Sequence, residues 1–194
     1  MKIKLGITSL IAIVALGAAS LAAAAVITGT DGDDTLMGTP HADLIQGLGG
    51  NDMVAGRGGG DIILAGPGND LVRGGDGSDT IWGNAGDDVL HGGNGADIVR
   101  GRSGDDQVYG GDGPDQLFAG FGADKVFGGP GDDHLYAVAK DGQLDKLNCG
   151  PGNDVATIRA GEPTAVVNCE KVEVAPDNPS STNEPGESST SEGP

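Results

Sequence analysis

The chain has 194 residues, 38 of them glycine, and a formal net charge of −18 at pH 7. Glycine at this level disfavours an ordinary helical domain, because each Gly inside a helix costs about 1 kcal/mol relative to Ala, and its spacing is not the every-third-residue pattern of collagen. The negative charge would repel nucleic-acid phosphates, so it disfavours nucleic acid as a partner and favours positively charged partners, metal cations first.

The first 25 residues have the pattern of a secretory signal peptide. Lys2 and Lys4 precede an apolar run over residues 5–21, and the small residues 22–25 offer a cleavage site after Ala25. A transmembrane anchor is the alternative, since about 20 apolar residues can span a bilayer. No basic flank follows the run. We therefore expect a secreted, extracellular protein with no membrane span in the mature chain.

A nine-residue repeat follows the apolar segment. Its fixed element is an aspartate followed two positions later by an aliphatic residue, and Gly stands two positions before each aspartate except at His41. The aspartates are Asp34, Asp43, Asp52, Asp61, Asp70, Asp79, Asp88, Asp97, Asp106, Asp115, Asp124 and Asp133. The aliphatic residues are Leu36, Ile45, Val54, Ile63, Val72, Ile81, Leu90, Val99, Val108, Leu117, Val126 and Leu135.

The repeat unit is G-G-x-G-x-D-x-U-x, where U is aliphatic, and residues 74–82 and 92–100 match it fully. This pattern resembles the hemolysin-type calcium-binding nonapeptide repeat of the RTX family. The resemblance covers residues 29–136. It implies a parallel β-roll, which is an all-β, two-sheet solenoid, with calcium bound at its turns.

The residues themselves favour the same architecture. The first six positions of a unit have turn composition, and the last three suit a short strand whose central aliphatic residue faces inward. Two units can face each other to make an 18-residue coil, so the repeat predicts about six stacked coils over residues 26–136. The free energy gained by burying one aliphatic side chain per unit does not offset the conformational entropy lost when nine glycine-rich residues become ordered. Something must therefore bind the turns.

Calcium suits these turns because it accepts six to eight oxygen ligands from carboxylates and backbone carbonyls. With 18 residues per coil, Asp34 and every second repeat aspartate to Asp124 line one edge of the roll, and Asp43 and every second one to Asp133 line the other. Gaps between successive turns would hold several calcium ions, up to about ten. The sites at the ends should be poorer, because His41 replaces a turn Gly and the first unit lacks its second Gly.

Other roles for the repeat aspartates, and other metals, explain the pattern less well. Asp is a common turn residue, but a simple turn would accept Asn or Ser equally well. Magnesium demands a tighter octahedron and keeps its waters. Zinc would need His or Cys, and His41, His91 and His134 form no row. An EF-hand needs a Glu at loop position 12, and the first Glu is Glu162.

Aromatic residues occupy the last strand position in the later units: Trp82, Tyr109, Phe118, Phe127 and Tyr136. Tyr109 and Phe127 are one coil apart, as are Phe118 and Tyr136, so these rings could stack as ladders on the outer sheet faces. The pattern leaves two roles open. One is packing, and the other is a sugar-binding strip.

Residues 137–175 first interrupt the nine-residue spacing of the repeat and then resume it. Asp145 and Asp154 restore the nine-residue spacing as further candidate metal ligands, and the valines at 166–167 and 172–174 predict closing strands. Such a segment would cap the last coil. Cys149 and Cys169 are the only cysteines, and with an export signal we expect them to form a disulfide.

Residues 176–194 lack aliphatic, aromatic and basic side chains and predict a disordered acidic tail. The sequence contains no G-x-S-x-G, H-E-x-x-H or G-K-[ST] motif, and we expect no enzyme activity. The favoured function is that of a secreted protein that folds on calcium. The alternative is a calcium-dependent adhesin, or an extracellular matrix or surface structural protein, with cell-surface polysaccharide or matrix as a possible partner.

Overall fold

The computed structural model describes residues 24–175, which form β-strands and turns. The expected signal peptide lies outside the described residues except for Ala24 and Ala25, and the expected acidic tail lies wholly outside them. Within residues 24–175, no helix is long and apolar enough to cross a membrane.

Seventeen short strands follow one another along the described chain. They are β1 (Val26–Thr28), β2 (Thr35–Met37), β3 (Leu44–Gln46), β4 (Met53–Gly58), β5 (Ile62–Pro67), β6 (Leu71–Asp76), β7 (Thr80–Ala85), β8 (Val89–Asn94), β9 (Ile98–Ser103), β10 (Gln107–Asp112), β11 (Gln116–Phe121), β12 (Lys125–Phe127), β13 (His134–Ala137), β14 (Asp145–Asn148), β15 (Val155–Arg159), β16 (Thr164–Val167) and β17 (Lys171–Ala175).

Odd and even strands form two separate parallel sheets. The odd strands make a nine-stranded sheet in the order β1 to β17, and the even strands make an eight-stranded sheet from β2 to β16. The register is one coil per step, so Ile45 lies beside Ile63, which lies beside Ile81. Each coil therefore takes 18 residues across the repeat. The predicted all-β, two-sheet parallel roll is confirmed.

The core is a thin layer between the two sheets. All twelve repeat aliphatic residues, from Leu36 to Leu135, are at most 1% exposed. Their neighbours on either side point outward because side chains alternate along a strand. The inward direction predicted for the aliphatic position is thus confirmed in every unit.

The solenoid has about eight coils, whereas the sequence predicted about six. The difference arises because strands β14 to β17 continue both sheets in parallel register. Leu147 lies beside Val126, and Ala156 lies beside Leu135. The three residues inserted after Tyr136 lengthen one turn without breaking the stack, so the partner spacing there is 21 residues. The last strand, β17, stays largely exposed, with Val172 at 47%.

The aromatic residues form ladders on the outer sheet faces. Tyr109 stacks on His91 with 4.5 Å between ring centroids and on Phe127 with 4.9 Å. On the other sheet, Phe118 stacks on Tyr136 at 4.4 Å. Both predicted ring pairs are confirmed. Because the planes are within 7° of parallel, these rings cover one another's faces, which supports a packing role.

The two cysteines are joined in a disulfide between Cys149 and Cys169, as predicted. Cys149 is fully buried at the start of a turn, and Cys169 lies between β16 and β17. The bridge ties the final coil to the coil before it.

Candidate metal centre

The aspartates form two ladders, one along each edge of the roll. In each ladder the carboxylate Oδ1 of one aspartate accepts a hydrogen bond from the backbone amide of the aspartate one coil earlier. Asp52 N donates to Asp70 Oδ1 at 2.7 Å, and Asp70 N donates to Asp88 Oδ1 at 2.8 Å. The other edge repeats the pattern from Asp43 to Asp133. The structure therefore brings together the two rows that the 18-residue coil predicted.

Both ladders extend into the C-terminal segment. Asp124 N donates to Asp145 Oδ1 at 3.1 Å, and Asp133 N donates to Asp154 Oδ1 at 2.8 Å. Asp154 N then donates to a carboxylate oxygen of Glu170. Sequence reasoning did not select Glu170, because it falls outside the nine-residue phase.

The second carboxylate oxygen is unsatisfied in most of the row. All fourteen predicted ligand aspartates are buried, at 5% exposure or less. Eleven of them hold a buried Oδ2 atom without a hydrogen-bond partner, and these are Asp52, Asp61, Asp70, Asp79, Asp88, Asp97, Asp106, Asp115, Asp124, Asp133 and Asp154. A buried carboxylate oxygen without a partner carries a large desolvation cost, so each of these oxygens calls for a proton or a cation beside it.

Backbone carbonyls approach the same oxygens. A Cβ atom placed on Gly101 would collide both with Asp106 Oδ2 and with the carbonyl oxygen of Ala119 in the next coil. Gly83 faces Asp88 Oδ2 and the Gly101 carbonyl in the same way. The first Gly of the unit is therefore required for close approach, and it leaves a carboxylate and a carbonyl oxygen facing one small space.

Burial shifts the titration of these carboxyl groups. It raises the pKa of Asp106 to about 8; the Asp88 amide opposes this shift, and the carboxylates of Asp124 and Asp88 add to it. Burial likewise raises the pKa of Asp88, Asp115 and Asp124 to about 7. A raised pKa means that the charged form lacks a compensating positive charge at these positions.

The donor set fits calcium. Anionic carboxylate and neutral carbonyl oxygens are the ligands that calcium prefers. No three His, Cys, Asp or Glu side chains come together in residues 24–175, so a bound calcium would take its remaining ligands from backbone carbonyls such as that of Ala119. His91 and His134 instead stack in the aromatic ladders. When bound, calcium would supply the positive charge that neutralises the carboxylates of successive turns.

The family model of the RTX calcium-binding nonapeptide repeat, in four copies, matches residues 28–63, 64–99 and 100–135. The chain belongs to this family. RTX repeats bind calcium, so the chain is a calcium-binding repeat protein with a β-roll fold. The family is a structural calcium-binding repeat and not a catalytic family. No curated protein matches the chain.

A second, exposed ladder was not predicted from the sequence. On one edge, the side chain of the residue before each ladder aspartate from Asp34 to Asp106 accepts a hydrogen bond from the backbone amide one coil later. Asn51 N donates to Asp33 Oδ1 at 2.7 Å, and Asp105 N donates to Asp87 Oδ1 at 2.9 Å. The signal was present in the sequence as Asp or Asn at the fifth position of alternate units. These Asp and Asn side chains cap exposed backbone amides and stay at the surface.

Proposed function

We propose that this chain is a secreted calcium-binding protein whose β-roll folds as calcium binds between its stacked Gly/Asp turns. The observation that carries the proposal is the double row of buried aspartates with unpartnered Oδ2 atoms. Without a cation these rows place like charges about 5 Å apart, because parallel strands stack at that spacing. The metal-free roll is therefore opposed by its own carboxylates as well as by chain entropy.

The proposed ligands are the ladder aspartates together with turn carbonyls. The row on one edge runs through Asp52, Asp70, Asp88, Asp106 and Asp124 to Asp145. The row on the other edge runs through Asp61, Asp79, Asp97, Asp115 and Asp133 to Asp154. The sequence also predicts Asp34 and Asp43, whose Oδ2 atoms, unlike those of the other ladder aspartates, accept hydrogen bonds from Thr30 and Thr39. Several ions, up to about ten, would occupy the two edges.

Secretion is the second part of the proposal. Proteins that carry RTX repeats are typically secreted. The Cys149–Cys169 disulfide supports an oxidising compartment, and the N-terminal pattern supports export. The proposed role is non-catalytic, because the family is a structural calcium-binding repeat.

The test is far-UV circular dichroism of the mature protein, stripped of divalent ions and then titrated with calcium. We expect a cooperative gain of β signal with calcium. Magnesium at the same concentration is the control, and we expect it to leave the signal unchanged because it keeps its hydration shell. A stripped protein that is already fully folded would contradict the proposal, since calcium would then not drive folding.

Attachment to polysaccharide or matrix is the second candidate function. It is favoured by exposed apolar side chains on the outer faces of the two sheets, where Ile62 and Met53 are about half exposed. The stacked rings are poorly suited to a sugar, because their faces are covered by one another. Retention on insoluble polysaccharide in calcium and release by a chelator would support attachment. Equal retention in both conditions would count against it.

A further inference from the structure

In the first turn of each edge, a threonine donates hydrogen bonds to the aspartate of the same turn. Thr30 donates to Asp34 Oδ2 through its backbone amide at 2.5 Å and through its hydroxyl at 2.9 Å. Thr39 donates its amide to Asp43 Oδ2 at 2.6 Å and its hydroxyl to Asp43 Oδ1 at 3.1 Å. The Oδ2 atom that lacks a partner in eleven later turns therefore has donors in both of these.

The backbone of these two turns also differs from that of the later turns. In the next turn on the first edge, the second and fourth positions have positive φ, at 81° for Leu48 and 103° for Gly50. Regular turns repeat this pair, for example at Gly75 and Gly77. Thr30, Thr39 and their fourth-position partners are not among the described residues with positive φ. The first turns thus have another conformation, in which the Thr amide points at the carboxylate.

An ion at either turn would have to displace these donors. The amide and hydroxyl hydrogens lie on the carboxylate oxygens that would face the metal, and hydrogen bonds to a charged acceptor are stronger than those to a neutral one. A calcium ion between the first and second turns of an edge would also find only one turn in the regular conformation.

We propose that Thr30 and Thr39 lock the first turn of each edge in a metal-free form, so that the calcium ladders begin at the turns of Asp52 and Asp61. This inference rests on the proposed calcium-binding function. The two locked turns serve as an end cap in which hydroxyl and amide hydrogens replace the cation. The cap closes the N-terminal end of both carboxylate rows without an ion.

The sequence offers a direct way to restore a site. Thr30→Gly would give the first turn the residues Gly-Gly-Asp-Gly-Asp-Asp, which match residues 74–79 except that Ser78 is replaced by Asp. The second turn is less suitable, because His41 occupies its fourth position, where regular turns have a positive-φ Gly. Thr30→Ser is the matched control, since it keeps the hydroxyl.

The experiment is a calcium count by equilibrium dialysis and elemental analysis, on the mature chain at saturating calcium. We expect Thr30→Gly to bind about one ion more than the natural protein, and Thr30→Ser to bind the same number. An unchanged count in Thr30→Gly, with a natural protein that binds calcium, overturns the inference and leaves the proposed function standing. A natural protein that binds no calcium overturns both.

A second pair of variants tests the natural protein without creating a site. Asp34→Asn should leave the ion count unchanged, because Asp34 is locked by Thr30. Asp70→Asn should lower the count, because Asp70 Oδ2 is buried and unpartnered. Equal losses in the two variants would place calcium at the first turn and overturn the inference.

Discussion

At the scale of single residues, the buried carboxyl groups make the metal-free roll sensitive to pH. Burial raises the pKa of Asp106 to about 8 and of Asp88 and Asp124 to about 7, whereas an unfolded Asp titrates near 3.9. The folded state therefore binds more protons than the unfolded state. The stability that these groups contribute is present at low pH and is lost as the pH rises through about 6 to 8.

We predict that the ion-stripped protein gains β structure when the pH is lowered from 8.5 to 5.5. Protonation removes the buried charges that calcium would otherwise neutralise. Circular dichroism of the stripped protein across this range measures the effect, and return to pH 8.5 is the control for aggregation. A loss of β signal on acidification would contradict the prediction.

Two adjacent aspartates, one buried and one exposed, allow a ligand role to be distinguished from the effect of a surface charge. Asp106 is 1% exposed with an orphaned Oδ2, while its neighbour Asp105 is exposed and caps the Ala123 amide. We predict that Asp106→Asn lowers the free energy of unfolding at saturating calcium by about 1–3 kcal/mol, because a buried ligand loses its charge. Asp105→Asn should change it by less than about 0.5 kcal/mol. Urea unfolding in calcium measures both, and equal effects would argue against the ladder sites.

At the scale of the strand, the stacked aromatic rings add stability to a roll whose hydrophobic core is thin. Tyr109 lies between His91 and Phe127, and each stacked pair is worth about 0.5–1.5 kcal/mol beyond area burial. We predict that Tyr109→Ala destabilises the calcium-loaded roll by about 1–3 kcal/mol. Tyr109→Phe keeps both stacks and loses only the hydroxyl contact with Gln107 at 3.3 Å. Thermal unfolding in calcium should therefore leave Tyr109→Phe close to the natural protein, and a drop equal to that of Tyr109→Ala would contradict the stacking role.

Strand direction, register and core followed from the sequence because one period determines all three. An aspartate every nine residues with Ile63 or Val72 two positions later specifies both the stack and the inward side chain. The hydrogen bonds from Thr30 to Asp34 did not follow, because they depend on the φ angles at the second and fourth positions of the turn. Glu170 could not be found either, since it lies only 16 residues after Asp154 and therefore outside the 18-residue coil.

At the scale of the whole molecule, the sequence underestimated the length of the rod. The C-terminal segment matches the repeat pattern only in part, and Ala156 stands where Leu or Val is usual. The sequence therefore predicted that its strands form a separate cap. The described chain instead has about eight coils, which gives a length of roughly 40 Å at the spacing of parallel strands. Its core is one aliphatic layer throughout.

The C-terminal end of the rod depends on the disulfide. Cys149 opens the turn that carries Asp154, and its carbonyl oxygen lies against Gly128 beside Asp133 Oδ2. The bridge to Cys169 therefore holds a candidate ligand carbonyl as well as the final strand. Apart from the bridge, β17 is held by its pairing with β15 and by little side-chain burial, with Val172 and Val174 about half exposed.

We predict that the double variant Cys149→Ser and Cys169→Ser loses about 3 kcal/mol of stability, because a bridge closing a loop of about 20 residues restricts the unfolded chain by that amount. The loss should be local at first. Hydrogen exchange in calcium should increase over residues 145–175 while residues 62–112 stay protected, since the central coils keep both neighbours. The matched control is Thr157→Ser, a change at a partly buried position of the same segment that keeps the hydroxyl bonded to His134, and it should leave exchange unchanged. Uniform acceleration along the rod would mean instead that the bridge stabilises all coils together and that the roll unfolds as one cooperative unit.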